Sequence, residues 1–149
     1  MNEQLIVLDD SYLPQMAELY KKAFEMAPWN DDWSDTDQLT EYMKEISYAY
    51  RPLNYGLMIE GKMCAVSIGH IKHWWQGTEY YLDELFVDPD CQGQGVGSHF
   101  LELIEEDNKK RGLSGIFLQT ENDKPAYEFY QKRGFHELPG HVSFFKEFG

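Results

Sequence analysis

Leu82-Asp83-Glu84-Leu85-Phe86-Val87-Asp88-Pro89-Asp90-Cys91-Gln92-Gly93-Gln94-Gly95-Val96-Gly97 runs from an apolar strand, through a proline-containing turn, into three glycines at alternate positions and then into an amphipathic segment. Strand, glycine turn and helix start together present backbone N–H groups to an anion. Glycine lets the chain approach closely, and the first helical turn leaves N–H donors unpaired at the positive end of the helix dipole. The spacing weakens two common phosphate-loop readings. A dinucleotide fingerprint needs its third glycine three residues after the second, and a Walker loop needs Lys then Ser or Thr; here the glycines are two apart and Ser98-His99 follow.

Outward from that stretch, the chain reads as one domain over residues 1–149, with 42% apolar and 15% aromatic residues to build a core. No apolar run approaches the roughly 20 residues of a membrane span, so no membrane partner is expected and a cytoplasmic location is the simplest reading. Two cysteines, Cys64 and Cys91, make no disulfide framework. A net charge of −13 disfavours a nucleic-acid partner and suits a cationic one, although solubility alone would also explain it.

Leu5-Ile6-Val7-Leu8 predicts a first strand, and Leu13, Met16, Leu19, Tyr20, Ala23 and Phe24 an amphipathic helix that stops near Ala27-Pro28. Between it and a second helix over residues 36–48 lies Trp29-Asn30-Asp31-Asp32-Trp33-Ser34-Asp35. Its indoles and carboxylates suit an ammonium group; equally, Trp29 and Trp33 pin the loop while Asp32 and its neighbours cap a helix. Residues 54–60 and 63–71 flank a hairpin turn, Trp74-Trp75-Gln76-Gly77 leads into a fourth strand over 79–87, and residues 116–119 form a fifth. Segments 136–138 and 142–148 supply two closing strands. His70 and His73 stand three apart in a strand and so on opposite faces, which argues against a metal centre.

Gln92-Gly93-Gln94-Gly95-Val96-Gly97 fits the [Gln/Arg]-x-x-Gly-x-[Gly/Ala] loop of the GNAT family of N-acetyltransferases. The block from Asp123 to Phe135, with Ala126, Phe129, Tyr130, Gly134 and Phe135, resembles that family's Asn-x-x-Ala-x-x-[Leu/Phe]-Tyr-x-x-x-Gly-Phe helix, with Asp123 at the usual Asn position. The resemblance implies an α/β (α+β) fold. Its mixed, twisted central sheet would have about six to seven strands, splayed between strands 4 and 5, with about four helices on its faces.

The resemblance also implies acetyl-coenzyme A as cofactor. Gln92, Gly93, Gln94, Gly95, Val96, Gly97 and Ser98 would hold its pyrophosphate, Leu85, Phe86 and Val87 its pantetheine, and Asn122, Asp123, Ala126 and Tyr130 the arm beyond. Tyr130 falls where the family tyrosine protonates the departing thiolate, and direct transfer leaves Cys91 a bystander. The run Trp75-Gln76-Gly77 then Tyr81-Leu82-Asp83-Glu84 resembles the polyamine acetyltransferase branch, which implies Asp83 as base and Trp75 at the amine site; Glu84 remains the alternative base. Strict alternation puts Tyr81, Asp83 and Leu85 on one face and Leu82, Glu84 and Phe86 on the other, unless a bulge alters the count. The expected activity is N-acetylation of a small cationic amine, polyamine-like or aminoglycoside-like, with Trp29, Trp33, Asp32, Trp75 and Tyr81 around it. Peptide acetylation and non-catalytic acyl-coenzyme A sensing are the alternatives. The family also implies a homodimer.

Overall fold

The computed structural model describes residues 2–149. These form two compact units, one ending at Gln119 and the other spanning Thr120–Gly149. The first unit holds a five-stranded sheet in the order β1-β2-β3-β4-β5: Glu3–Val7, Tyr55–Ile59, Lys62–Trp74, Gly77–Val87 and Ile116–Leu118. Three helices accompany it: α1 (Leu13–Glu25), α2 (Thr36–Ser47) and α3 (Val96–Lys110). Neighbouring strands β1 to β4 are antiparallel; short turns join β2 to β3 and β3 to β4, whereas α1 and α2 lie between β1 and β2, and β4 and β5 are joined through α3 and run parallel.

Each face of the sheet is covered by a different helical layer. On one, Met16, Leu19 and Tyr20 of α1 and Leu39 and Met43 of α2 pack on Val66, Ile68 and Phe86. On the other, Phe100 and Ile104 of α3 pack on Tyr55, Leu57, Ala65, Tyr80 and Leu82. The fully buried Tyr80 keeps its hydroxyl satisfied, donating to the Leu53 carbonyl at 2.9 Å and lying 2.7 Å from Ser67 Oγ. Local signals set the helix ends: Asp35 caps α2 by accepting from the Gln38 N–H, and α1 ends at Met26, just before Pro28.

Two features shape the sheet's working edge. Pairing of β4 with β5 covers only Tyr80–Ile116, Tyr81–Phe117 and Leu82–Leu118, so residues 83–87 of β4 have no partner strand on that side among the described residues. A register shift between Ile68 and Gly69 also pairs Ile68 with Glu84 and Gly69 with Leu82, leaving Asp83 as the extra residue of a bulge.

The second unit carries α4 (Pro125–Lys132). The mixed α/β class is as expected, but the sheet has five strands rather than six to seven. Residues 136–149 form neither helix nor strand, and the expected closing strands are corrected accordingly. A strand exists only where a neighbour completes its ladder. This segment instead leaves Val142, Phe144, Phe145 and Phe148 between 73% and 93% exposed.

Candidate active site

The bulge overturns the simple alternation along β4. Leu82, Leu85 and Val87 all pack with the α3-side cluster, although Leu82 and Leu85 are three residues apart. Phe86 packs on the α1 and α2 side, and the Glu84 carboxylate on that side accepts the Tyr42 hydroxyl of α2 at 2.6 Å. Strict alternation would have placed Leu82, Glu84 and Phe86 together. Leu82 instead lies opposite the other two because Asp83 adds one residue without a partner.

Glu84 is thereby driven into an aromatic enclosure. Tyr20 of α1 stands with its ring 5.4 Å from Trp33, 5.8 Å from Tyr42 and 5.4 Å from Phe86, and Trp33 stacks on Tyr42 at 5.5 Å. Burial pushes the Glu84 carboxyl up to about 7, the charges of Asp83 and Asp31 push the same way, and the Tyr42 hydrogen bond opposes them. Tyr42 and Tyr20 are both raised above the ordinary phenol range, by burial and then by the Glu84 charge. A carboxyl held near neutrality beside a phenol can take up a proton at physiological pH.

Asp83 takes a different partner. Its Oδ2 lies 3.6 Å from His70 Nδ1 on β3, and the His70 ring stacks on Tyr81 at 5.0 Å. Burial raises the Asp83 carboxyl, while His70 opposes the rise. Two adjacent carboxyls therefore face unlike surroundings: Glu84 a phenol and apolar rings, Asp83 an imidazole. Such a difference separates their proton affinities.

The glycine turn begins at a charged anchor. Residues Pro89–Cys91 make a short 3-10 turn capped by Asp88, which accepts from the Asp90 N–H at 2.9 Å. Lys22 of α1 reaches both Asp88 and Asp90 at 2.8 Å. Burial by itself would raise the Asp88 carboxyl, but Lys22 and the Asp90 N–H outweigh it and hold Asp88 below the usual range. Beyond the anchor, Gly93 and Gly95 take φ of 85° and 71°, a left-handed region that strains other residues. Gly95 opens α3, whose first internal bond runs from the His99 N–H to the Gly95 carbonyl at 3.0 Å. The Val96 and Gly97 N–H groups precede it and have no acceptor within the helix. At Gly93 and Gly95, nothing lies within 4 Å of where a Cβ would stand. Open space above main-chain donors at a helix start fits a diphosphate.

In the second unit, Tyr130 sits on α4 with its ring 5.2 Å from Phe129 and 5.3 Å from Phe135. The Phe135 N–H returns to the Tyr130 carbonyl at 3.1 Å, and Arg133 lies over the Phe129 ring at 4.2 Å. Ala126 is half-buried, while Asn122 and Asp123 are exposed just before the helix.

A family model for the GNAT acetyltransferases matches residues 13–135, from the start of α1 to the residue that follows Gly134. The chain belongs to this acetyltransferase family. A ribosomal protein bS18-alanine N-acetyltransferase of Escherichia coli (strain K12) is 29% identical over 136 residues, covering 87% of this chain and 78% of that protein. Among solved structures, a possible acetyltransferase from Clostridium difficile 630 superposes with a TM-score of 0.82 at 15% identity, covering all of both chains. An aminoglycoside N-acetyltransferase in complex with CoA gives 0.71 at 18% identity, over 98% of this chain and 95% of that one. At these identities the two structures speak for the fold alone.

The acetyltransferase brings some of the sequence-predicted residues together and separates others. Trp33 joins the wall around Glu84, with its indole Nε1 buried and without a hydrogen-bond partner. Trp29 reaches that wall through Phe24, 5.5 Å away. Asp32 is exposed and turned onto Ser34, whose side chain first and N–H second, the latter at 3.0 Å, lower its carboxyl. Tyr81 lies between His70 and Phe117, with Lys72 5.3 Å from its ring. Trp75 stands 80% exposed at the tip between β3 and β4.

Sequence reasoning did not pick out Tyr20, Tyr42 or His70 as site residues. One signal was available: a tyrosine on the inward stripe of an amphipathic helix needs a polar partner for its hydroxyl. Tyr42 finds that partner in Glu84.

Proposed function

We propose that this acetyltransferase moves an acetyl group from acetyl-coenzyme A to a primary amine of a small cationic substrate. The observation that carries the reading is Glu84, a carboxyl raised to about 7 on the stretch of β4 that has no parallel partner. Residues 92–98 hold the diphosphate through main-chain N–H groups. The N–H and C=O groups of Leu85 and Val87 are offered along the open side of β4, while those of Phe86 between them turn toward β3, as the Asp88 N–H does to Cys64. The family resemblance gives Asn122, Asp123 and Ala126 to the cofactor's other end. The bound thioester supplies an activated acyl carbon.

The residues of the chain divide the remaining work. Glu84 accepts the proton that the ammonium must lose before it becomes a nucleophile. Asp83, 3.6 Å from His70, is the second carboxyl on this stretch and the alternative acceptor of that proton. Trp33 and Tyr81, with Trp29, Asp32 and Trp75 farther out, offer aromatic faces and charge to that cation. The family resemblance gives Tyr130 the role of donating a phenolic proton to the departing sulfur. A protein N-terminus is the second reading, favoured by the relative from Escherichia coli that acts on an alanine of a ribosomal protein.

Thiol release from acetyl-coenzyme A across a panel of diamines, aminoglycosides and peptides with free N-termini tests both. Turnover with small polyamines or aminoglycosides supports the first reading, and turnover with peptides alone replaces it by the second. Cofactor binding without turnover on any amine makes the protein a sensor rather than an enzyme.

A further inference from the structure

The two cysteines lie 27 residues apart in sequence, yet their sulfur atoms stand 2.6 Å from each other. Cys64 is buried on β3, and Cys91 closes the turn that leads into the glycine loop. The main chain holds them in register. The Asp88 N–H donates to the Cys64 carbonyl at 2.8 Å, and the Cys91 N–H donates to the Asp88 carbonyl at 2.8 Å. Lys22 and Lys62 grip Asp88 and Asp90 from either side, at 2.8 Å and at 3.6–3.7 Å, so the turn is pinned over β3. A covalent bond between the sulfurs needs them only a few tenths of an ångström closer, given a disulfide length of about 2.0 Å.

We propose that Cys64 and Cys91 form a dithiol modification site that a hydroperoxide oxidises to an intramolecular disulfide. The roles follow from exposure. Cys91 is partly open to solvent and has the Lys62 ammonium nearby, so it is the attacking thiol. Burial, reinforced by Cys91, pushes the Cys64 thiol up to about 12, so it stays protonated and does not attack the peroxide first; its place 2.6 Å from Cys91 gives it the second step. The Cys91 thiolate attacks one peroxide oxygen, the O–O bond breaks, and the leaving oxygen takes a proton to become water or an alcohol. Cys91 then carries a sulfenic acid. Cys64 loses its proton to the departing hydroxyl, the S–S bond forms and water leaves. Two thiols are oxidised and one hydroperoxide is reduced. The product ties β3 covalently to the turn that precedes Gln92, and none of this depends on the identity of the acyl donor or acceptor.

The test uses the intact, reduced protein with hydrogen peroxide under native conditions, followed by thiol counting after denaturation and by intact mass. Both thiols should vanish, the mass should fall by two hydrogen atoms, the protein should stay unlinked to other chains, and dithiothreitol should reverse the change. The thermal midpoint should rise by several degrees, as closing a long loop does. In Cys64→Ser, Cys91 should instead accumulate a sulfenic acid that dimedone traps. Survival of both thiols in the wild type, an equal dimedone adduct in the wild type, or disulfides formed only between chains would overturn the proposal. The wild-type mass decides the matter even if the variant fails to fold.

Discussion

The proposed chemistry rests on a single residue, Glu84. A base works only when ionised, so turnover should rise with pH along a limb near 7, where burial has placed this carboxyl. Replacing Glu84 with Gln should abolish that limb and lower kcat by about 10²–10⁴-fold in a steady-state pH profile. Tyr42→Phe acts on the same limb with a definite sign. The Tyr42 hydrogen bond favours the ionised carboxylate, so its loss should move the limb to higher pH. An unchanged limb in Tyr42→Phe would mean that Glu84 is not the group titrating. The same carboxyl also affects folding. Between its ordinary value of 4.5 and about 7, the folded protein keeps a proton that the unfolded chain releases, so stability falls as pH rises through that window. The cost above pH 7 is about 3 kcal/mol, and Glu84→Gln should therefore melt about 6–12 °C higher at pH 8 while turning over more slowly. Calorimetry at pH 5 and pH 8 separates this from general stiffening, because the gain should shrink at the lower pH.

At the scale of the element, the β4 bulge decides what the site contains. It adds Asp83 opposite the Ile68–Gly69 step and turns Glu84 toward α2. Gly69 is the residue on β3 that makes the close crossing possible. A Cβ there would meet the Tyr81 carbonyl oxygen at 2.5 Å and the Tyr80 ring at 2.6 Å. The carbonyl belongs to the main chain and Tyr80 is fully buried, so neither can withdraw cheaply. Gly69→Ala should cost about 1–3 kcal/mol in denaturant unfolding and also disturb the limb near pH 7. By contrast, the open space at Gly93 and Gly95 leaves only backbone strain to oppose a side chain there.

For the whole molecule, a net charge of −13 acts on both proposed substrates with opposite signs. The field attracts an ammonium substrate and repels a polyanionic cofactor, and salt screens both over about 8 Å at physiological strength. Raising the salt should therefore increase KM for the amine and decrease KM for acetyl-coenzyme A. Salt dependence of the same sign for both would remove the charge argument for a cationic acceptor. Within the described residues, no helix is long and apolar enough to cross a membrane.

Elements and turns came from the sequence because their causes are local. The stripe Leu13 to Phe24 made α1, Gly61 turned a hairpin, and alternate glycines ahead of an amphipathic run opened α3. These signals act over a few residues and survive without knowledge of the partner. Segments 136–138 and 142–148 looked like closing strands, yet a strand is a property of a pair, and no ladder forms there. The tertiary structure alone decided that Leu82 and Glu84 lie on opposite faces, since a bulge arises from how two strands are paired. It alone brought Tyr42 to Glu84 across 42 positions and Cys91 to Cys64 across 27. The acidity of Glu84 belongs there too, because it is set by how far water has been excluded, and that is a sum over the residues packed around it.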